Sequence, residues 1–129
     1  MRKSFAAIVL SFVPALALAA HGIRFDTLLS EGGTRIAAPS VWVPFGQEAV
    51  IEVPGKVRIV AVAQQPIGSL SHVQATIYRF ADGKWVEDWR PEMDADIALT
   101  PSLKKNLEGG VYRVVVMPRA AERPVSSGN

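Results

Sequence analysis

Glycine and proline punctuate this chain at short intervals from Ile23 onward, and the stretches between them alternate apolar with polar side chains. Glycine adopts positive φ without steric cost, and proline cannot donate a ladder hydrogen bond. Such punctuation leaves room for short strands and little room for helices. None of the intervening segments shows a 3.6-residue apolar period.

The segments follow from this. "IRFDTLLS" (23–30) reads as a first strand, turned by "EGG". "TRIAAPSVWV" (34–43) returns, with Pro39 expected at a bulge or an edge. After "PFG", "QEAVIEV" (47–53) alternates: Ala49, Ile51 and Val53 share one face, and Glu48 and Glu52 the other. "PG" turns into "KVRIVAVA" (56–63), which is apolar on both faces in its second half and so reads as a central strand. "QQPIGSLS" is a polar loop, and "HVQATIYRF" (72–80) a strand. "ADGK" is a tight hairpin turn, because Asp-Gly is a favoured pair there. "WVEDW" (85–89) pairs back, and "RPEMDAD" (90–96) reads as loop. "IALTPSLKKNL" fits a short strand or a helical turn. "GVYRVVVMP" (110–118) is a strand with a continuous apolar run, hence central. Seven or eight short strands of this kind predict an all-β sandwich spanning residues 20–118.

The first 20 residues differ in kind. Arg2 and Lys3 precede the apolar run "FAAIVLSFVPALALAA", which ends in small residues. This is the order of a secretory signal peptide over residues 1–19, and with Pro14 in its middle the run is too short for a spanning helix. Ala17-Leu18-Ala19 satisfies the small-x-small rule and places cleavage after Ala19; cleavage after Ala20 is the alternative. The expected destination is the periplasm or the exterior, with no stable membrane insertion after cleavage. The tail, 119–129, contains Pro, Ser and Gly without apolar period and is expected to be disordered.

Charge and cysteine content exclude several function classes. The chain has 14 Lys+Arg and 12 Asp+Glu. Removing Arg2 and Lys3 leaves 12 of each, so the mature chain is neutral. It then has no electrostatic reason to bind nucleic acid or anionic lipid. There is no cysteine, hence no disulfide, no thiolate metal site and no thiol catalysis. The serines lack a G-x-S-x-G setting, and no HExxH, phosphate loop or dinucleotide fingerprint is present.

Two local motifs resemble known proteins. "EGGVY", with Glu108, Gly110 and Tyr112, resembles the D-x-[AG]-x-Y tyrosine corner of immunoglobulin-like domains, and the resemblance implies an immunoglobulin-like sandwich whose Tyr112 hydroxyl ties the incoming loop to the sandwich end. "RIAAPSVWVPFGQEAVIEV" resembles a hairpin in the core domain of bacterial secretins. That likeness implies a hairpin in which proline ends one strand, glycine turns, and Gln-Glu-Ala starts the next. It implies no function.

Three constellations are candidates for chemistry. If cleavage follows Ala20, His21 becomes the amino terminus, and its α-amine and Nδ1 can chelate a metal. A second imidazole, His72, would complete a three-nitrogen set suited to Cu(II). The arrangement resembles copper-brace proteins such as lytic polysaccharide monooxygenases and periplasmic copper carriers, and copper would then be the cofactor. The second constellation is acidic: Glu87, Asp88, Glu92, Asp94 and Asp96. Its spacing fits neither a calcium loop nor a glycosidase pair, and a solvated loop with Arg90 paired nearby is expected. The third is aromatic. Trp85 and Trp89 lie four apart in one strand, hence on one face with Glu87 between them, and Trp42 flanks a turn. Such rings build a core, or they bind a sugar or a partner peptide. The burial cost of an unpaired Glu87 places at least one of them at a rim.

By elimination, the expected role is non-catalytic, a small envelope protein that binds another protein as an accessory or inhibitor without a cofactor. Copper binding through His21 and His72, and carbohydrate binding through the tryptophans, are the alternatives. "IRFDTLLS" is expected at an edge, where it can pair with another chain.

Overall fold

A computed structural model describes residues 21–99 and 101–124. The expected signal peptide and its cleavage site lie outside the described residues, as do the last five residues of the tail.

The protein is a β-sandwich of two antiparallel sheets, and no helix occurs among the described residues. In chain order the strands are β1 (Gly22–Glu31), β2 (Thr34–Ala37), β3 (Ser40–Pro44), β4 (Ala49–Val53), β5 (Val57–Ala63), β6 (Leu70–Ala81), β7 (Lys84–Trp89), β8 (Glu92–Asp96), β9 (Leu103–Asn106) and β10 (Tyr112–Ala121). Sheet A runs β2-β1-β10-β9, with β3 also paired to β1. Sheet B runs β4-β5-β6-β7, with β8 also paired to β6. Each sheet therefore has four strand positions, one of them filled by a strand broken in two.

Ten strands form where seven or eight were expected, and the breaks explain the difference. Pro39 splits the second expected strand: β2 and β3 pair with different parts of β1, and the Pro39 carbonyl accepts from Thr27 N–H at 3.0 Å instead of continuing a ladder. "RPEMDAD" is not a loop. Its last five residues are β8, in register with Leu70–Gln74 of β6. Within "IALTPSLKKNL" the strand alternative holds, as β9 against Arg113–Val116.

The turns follow the local chemistry. Gly32 and Gly33 both have positive φ (59° and 86°) between β1 and β2, and Asp82 and Gly83 do the same (53° and 78°) between β6 and β7. Paired positive φ values give the turn whose twist matches that of a hairpin. The expected hairpin between β3 and β4 does not form. β3 joins sheet A and β4 joins sheet B, so the "PFG" segment crosses between sheets. Gly46 N–H donates to the Ala63 carbonyl at 2.8 Å and closes the crossing. The alternation itself was read correctly: Ala49 and Ile51 are buried, and Val50 is 48 % exposed.

The core lies between the inward faces. Ile23, Phe25 and Leu29 of β1 and Val114 and Val116 of β10 meet Ile51, Ile59, Val73 and Ile77 of sheet B. β5 and β10 are central, as their apolar runs predicted. β1 is central too, flanked by β10 on one side and by β2 and β3 on the other, so it is not the open edge expected. β10 also continues three residues past Pro118. Ala120 and Ala121 pair with Ile23 and Gly22, and the start of the expected disordered tail is strand. On the outer face of sheet A, Asp26 accepts from Ser40, Arg24 and Arg119. Partial burial pushes its carboxyl up, but these hydrogen bonds and the charges of Arg24 and Arg119 outweigh burial and hold it below its ordinary value.

Candidate binding surface

The outer face of sheet B is built by the even-numbered residues of β4, β5 and β6, whose odd-numbered neighbours fill the core. Ladder register sets its rows. Val50, Val60 and Thr76 form one row, and Glu52, Arg58, Tyr78 and Glu87 the next. Phe80 and Trp85 close the face, 5.1 Å apart with their planes at 72°. At the other end the segment joining β7 to β8 runs beside β6, with Ala75 N–H donating to the Pro91 carbonyl. Next to it lies a depression of ≈ 200 Å³ lined by Val60, Val62, Thr76, Arg90 and Pro91, among others. An apolar row and the Glu52–Arg58 row lie side by side on this face, and its rim carries ion pairs.

His72 belongs to that rim. It faces Asp94 in register, and its Nδ1 lies 2.8 Å from Asp94 Oδ1 while its Nε2 lies 2.8 Å from Glu92 Oε1. The hydrogen bond to Asp94 and then that to Glu92 raise its pKa above the ordinary 6.5. A protonated imidazole can donate from both nitrogens, so this geometry suits the cation. His21 is elsewhere. It precedes β1 in sheet A, with Nδ1 3.3 Å from Glu122 Oε1 and its side chain 80 % exposed. The two histidines thus stand on different sheets, each engaged by its own carboxylates. Among the described residues no group of three or more His, Asp or Glu is arranged to hold a metal ion.

Gly22, the other half of the "HG" pair, has a packing role. A Cβ there would stand 2.3 Å from the Val43 carbonyl oxygen and 2.5 Å from Trp42 Cζ2. The indole of Trp42 lies against this bare backbone and donates from Nε1 to the Ala121 carbonyl at 2.9 Å. Trp42 therefore joins β3 to the end of β10, and Arg123 stands over its ring.

Trp85 and Trp89 do not share a face. Tyr78 pairs with Glu87 but Ile77 pairs with Trp89, so Asp88 is an extra residue, a β-bulge. The bulge reverses the alternation. Trp85 and Glu87 remain on the outer face, while Trp89 turns inward and packs against the core beneath Lys105. The three tryptophans sit at three separate places, all half-buried. Glu87 is exposed at the rim and accepts from Arg90 at 2.6 Å, as the charge argument expected.

The same bulge sends Asp88 inward. Its side chain is only 2 % exposed and accepts from Arg79 Nε at 2.9 Å, from Glu108 N–H at 3.0 Å and from Lys105 Nζ at 3.4 Å. The acidic stretch is thus neither a loop nor wholly solvated: Asp88 ties β7 to β9 of the opposite sheet. Sequence reasoning missed this cluster. Its one legible signal was an Asp directly after Glu87, which breaks the alternation of β7.

The loop carrying Glu108, Gly110 and Tyr112 is closed by other means than a corner motif names. Gly110 N–H donates to the Leu107 carbonyl at 3.0 Å, and Leu107 N–H to the Tyr112 carbonyl at 2.8 Å. Glu108 pairs with Arg79, and its backbone N–H bonds Asp88. Tyr112 packs against the core, and Lys56 Nζ stands 5.7 Å from its ring centre.

No protein-family model, curated protein or solved structure matches this chain.

Proposed function

We propose that this chain is a small, non-catalytic exported protein of the cell envelope that binds another protein, with the outer face of sheet B as its contact surface. The observation that carries the reading is the anatomy of that face. Val50, Val60 and Thr76 lie in one row, Glu52, Arg58 and Tyr78 in the next, the rings of Phe80 and Trp85 beyond them, and Glu87–Arg90 and His72–Asp94 stand at the rim. Apolar and aromatic side chains within a polar rim are how protein-binding surfaces are built. The nearly perpendicular rings of Phe80 and Trp85 offer no common plane for a sugar ring, which favours a protein ligand over a glycan. The exported location rests on the amino-terminal sequence pattern alone.

The test is mild cross-linking in envelope extract, with the purified full chain as bait. A defined partner should be recovered, and Val60→Asp, which places a carboxylate at the centre of the face, should abolish its recovery while the far-ultraviolet spectrum stays that of a β protein. An empty pull-down, or recovery unaffected by the substitution, overturns the proposal.

A further inference from the structure

Every open sheet offers two edges, and the four edges of this sandwich are not alike. The outer edge of sheet A is broken at Pro39, between β2 and β3. The β7–β8 edge of sheet B is interrupted by the Asp88 bulge and by Pro91. β9 is four residues long, and two of them are Lys104 and Lys105. These are devices that discourage a further strand. β4 is short as well and carries Glu52, but it is continuous from Ala49 to Val53, contains neither proline nor lysine, and pairs only with β5 among the described residues. Its alternate residues direct backbone N–H and C=O groups away from the sheet.

The side chains along this edge state what would fit beside it. Outward it presents Glu48, Val50 and Glu52, at positions two apart. Neither glutamate makes an ion pair among the described residues, although Arg58 stands opposite Glu52 in register. Inward, Ile51 is buried and Val53 half-buried, so the inner side of the edge is already filled by the core.

We propose that β4 accepts an extended segment of the partner protein as a fifth strand position of sheet B. The segment is antiparallel, with basic, apolar and basic side chains opposite Glu52, Val50 and Glu48. Main-chain hydrogen bonds would supply attachment, and the alternating side chains register and choice of partner. A second copy of this chain is a poorer occupant. Self-pairing centred on Val50 sets Glu48 of each copy against Glu52 of the other, and like charges directly opposite are destabilising. The proposal rests on the protein-binding reading above and names the partner's chemistry.

The probe is a fluorescently labelled ten-residue peptide of alternating Lys and Val, titrated into the purified full chain. Saturable binding is expected. The double variant Glu48→Lys/Glu52→Lys should weaken it about tenfold, since two cross-strand attractions become two repulsions. A Glu-Val peptide should recover affinity for that variant, and circular dichroism confirms that the variant folds. Absence of binding, or equal binding of both peptides to both proteins, overturns the proposal. A photoreactive amino acid placed at Glu48 or at Phe80, used in envelope extract, separates it from the broader reading. Capture at Phe80 with none at Glu48 refutes the edge and leaves the protein-binding face; capture at neither refutes both. A covalent dimer of this chain through position 48 overturns the proposal in favour of self-pairing.

Discussion

Gly22 shows how much can hang on the absence of one methyl group. Its backbone is extended rather than left-handed, so its freedom of conformation is not what matters. What matters is space: Trp42 and the Val43 carbonyl occupy the volume a Cβ would need. Gly22→Ala should therefore force the indole off the strand and lengthen its bond to the Ala121 carbonyl. The expected cost is about 1–3 kcal/mol, the range for overpacking a filled site. Thermal unfolding would measure it, with tryptophan emission shifting to longer wavelength as the indole becomes exposed; an unchanged midpoint would contradict the packing account. From sequence, the "HG" pair drew attention to His21 and a chemical role. Nothing in the local pattern could reveal that a tryptophan twenty residues away would lie on the glycine.

The strands teach a different lesson. β10 was expected to end at Pro118, because proline cannot donate to a ladder and the residues after it are polar or small. Proline removes only its own N–H. Beyond it Ala120 N–H donates to the Ile97 carbonyl at 3.0 Å, and the Ala121 carbonyl accepts from Trp42. Truncation after Pro118 should thus destabilise the protein by about 2–4 kcal/mol, the loss of several net hydrogen bonds and of the Trp42 anchor. The comparison is with the full chain. Urea titration of both would decide, and equal midpoints would show that the last turn of ladder contributes nothing. A similar point holds for β8. "EMDAD" has one alanine and one methionine among acids, which by itself reads as solvated. It becomes a strand because β6 has twelve residues, more than β7 alone can cover, and its free length needs a partner.

At the scale of the molecule, apolar burial presses the two sheets together, and charge helps to hold one side of the seam closed. Asp88 of sheet B reaches Lys105 of sheet A and the backbone beyond it, while Arg79 fills the remaining acceptor sites. Asp88→Ala should cost about 1–3 kcal/mol, because the Glu108 N–H, Arg79 and Lys105 lose a buried acceptor, while both cations stay partly open to water. Asp88→Asn should cost less, since its amide oxygen still accepts. If the two variants unfold at the wild-type midpoint, the cluster does not hold the sheets. On the β4 side the sheets are joined by the chain crossing from β3 to β4 and by Lys56 Nζ, 3.3 Å from Glu31 Oε1 of β1.

Much of this architecture was legible in one dimension. Alternation has a period of two and is local, so it revealed which residues of β4 face inward, and the apolar runs marked β5 and β10 as central. Glycine and Asp-Gly pairs act over four residues, so they marked the β1–β2, β4–β5 and β6–β7 hairpins. What followed from three dimensions was every relation between distant segments: that "PFG" crosses between sheets instead of turning a hairpin, that β1 is central, that a bulge at Asp88 sends Trp85 and Trp89 to opposite faces, and that His21 and His72 stand apart. Each depends on which strands become neighbours. That choice is made by the fit of two whole sheet faces, a sum over many weak contacts that no short stretch of sequence contains.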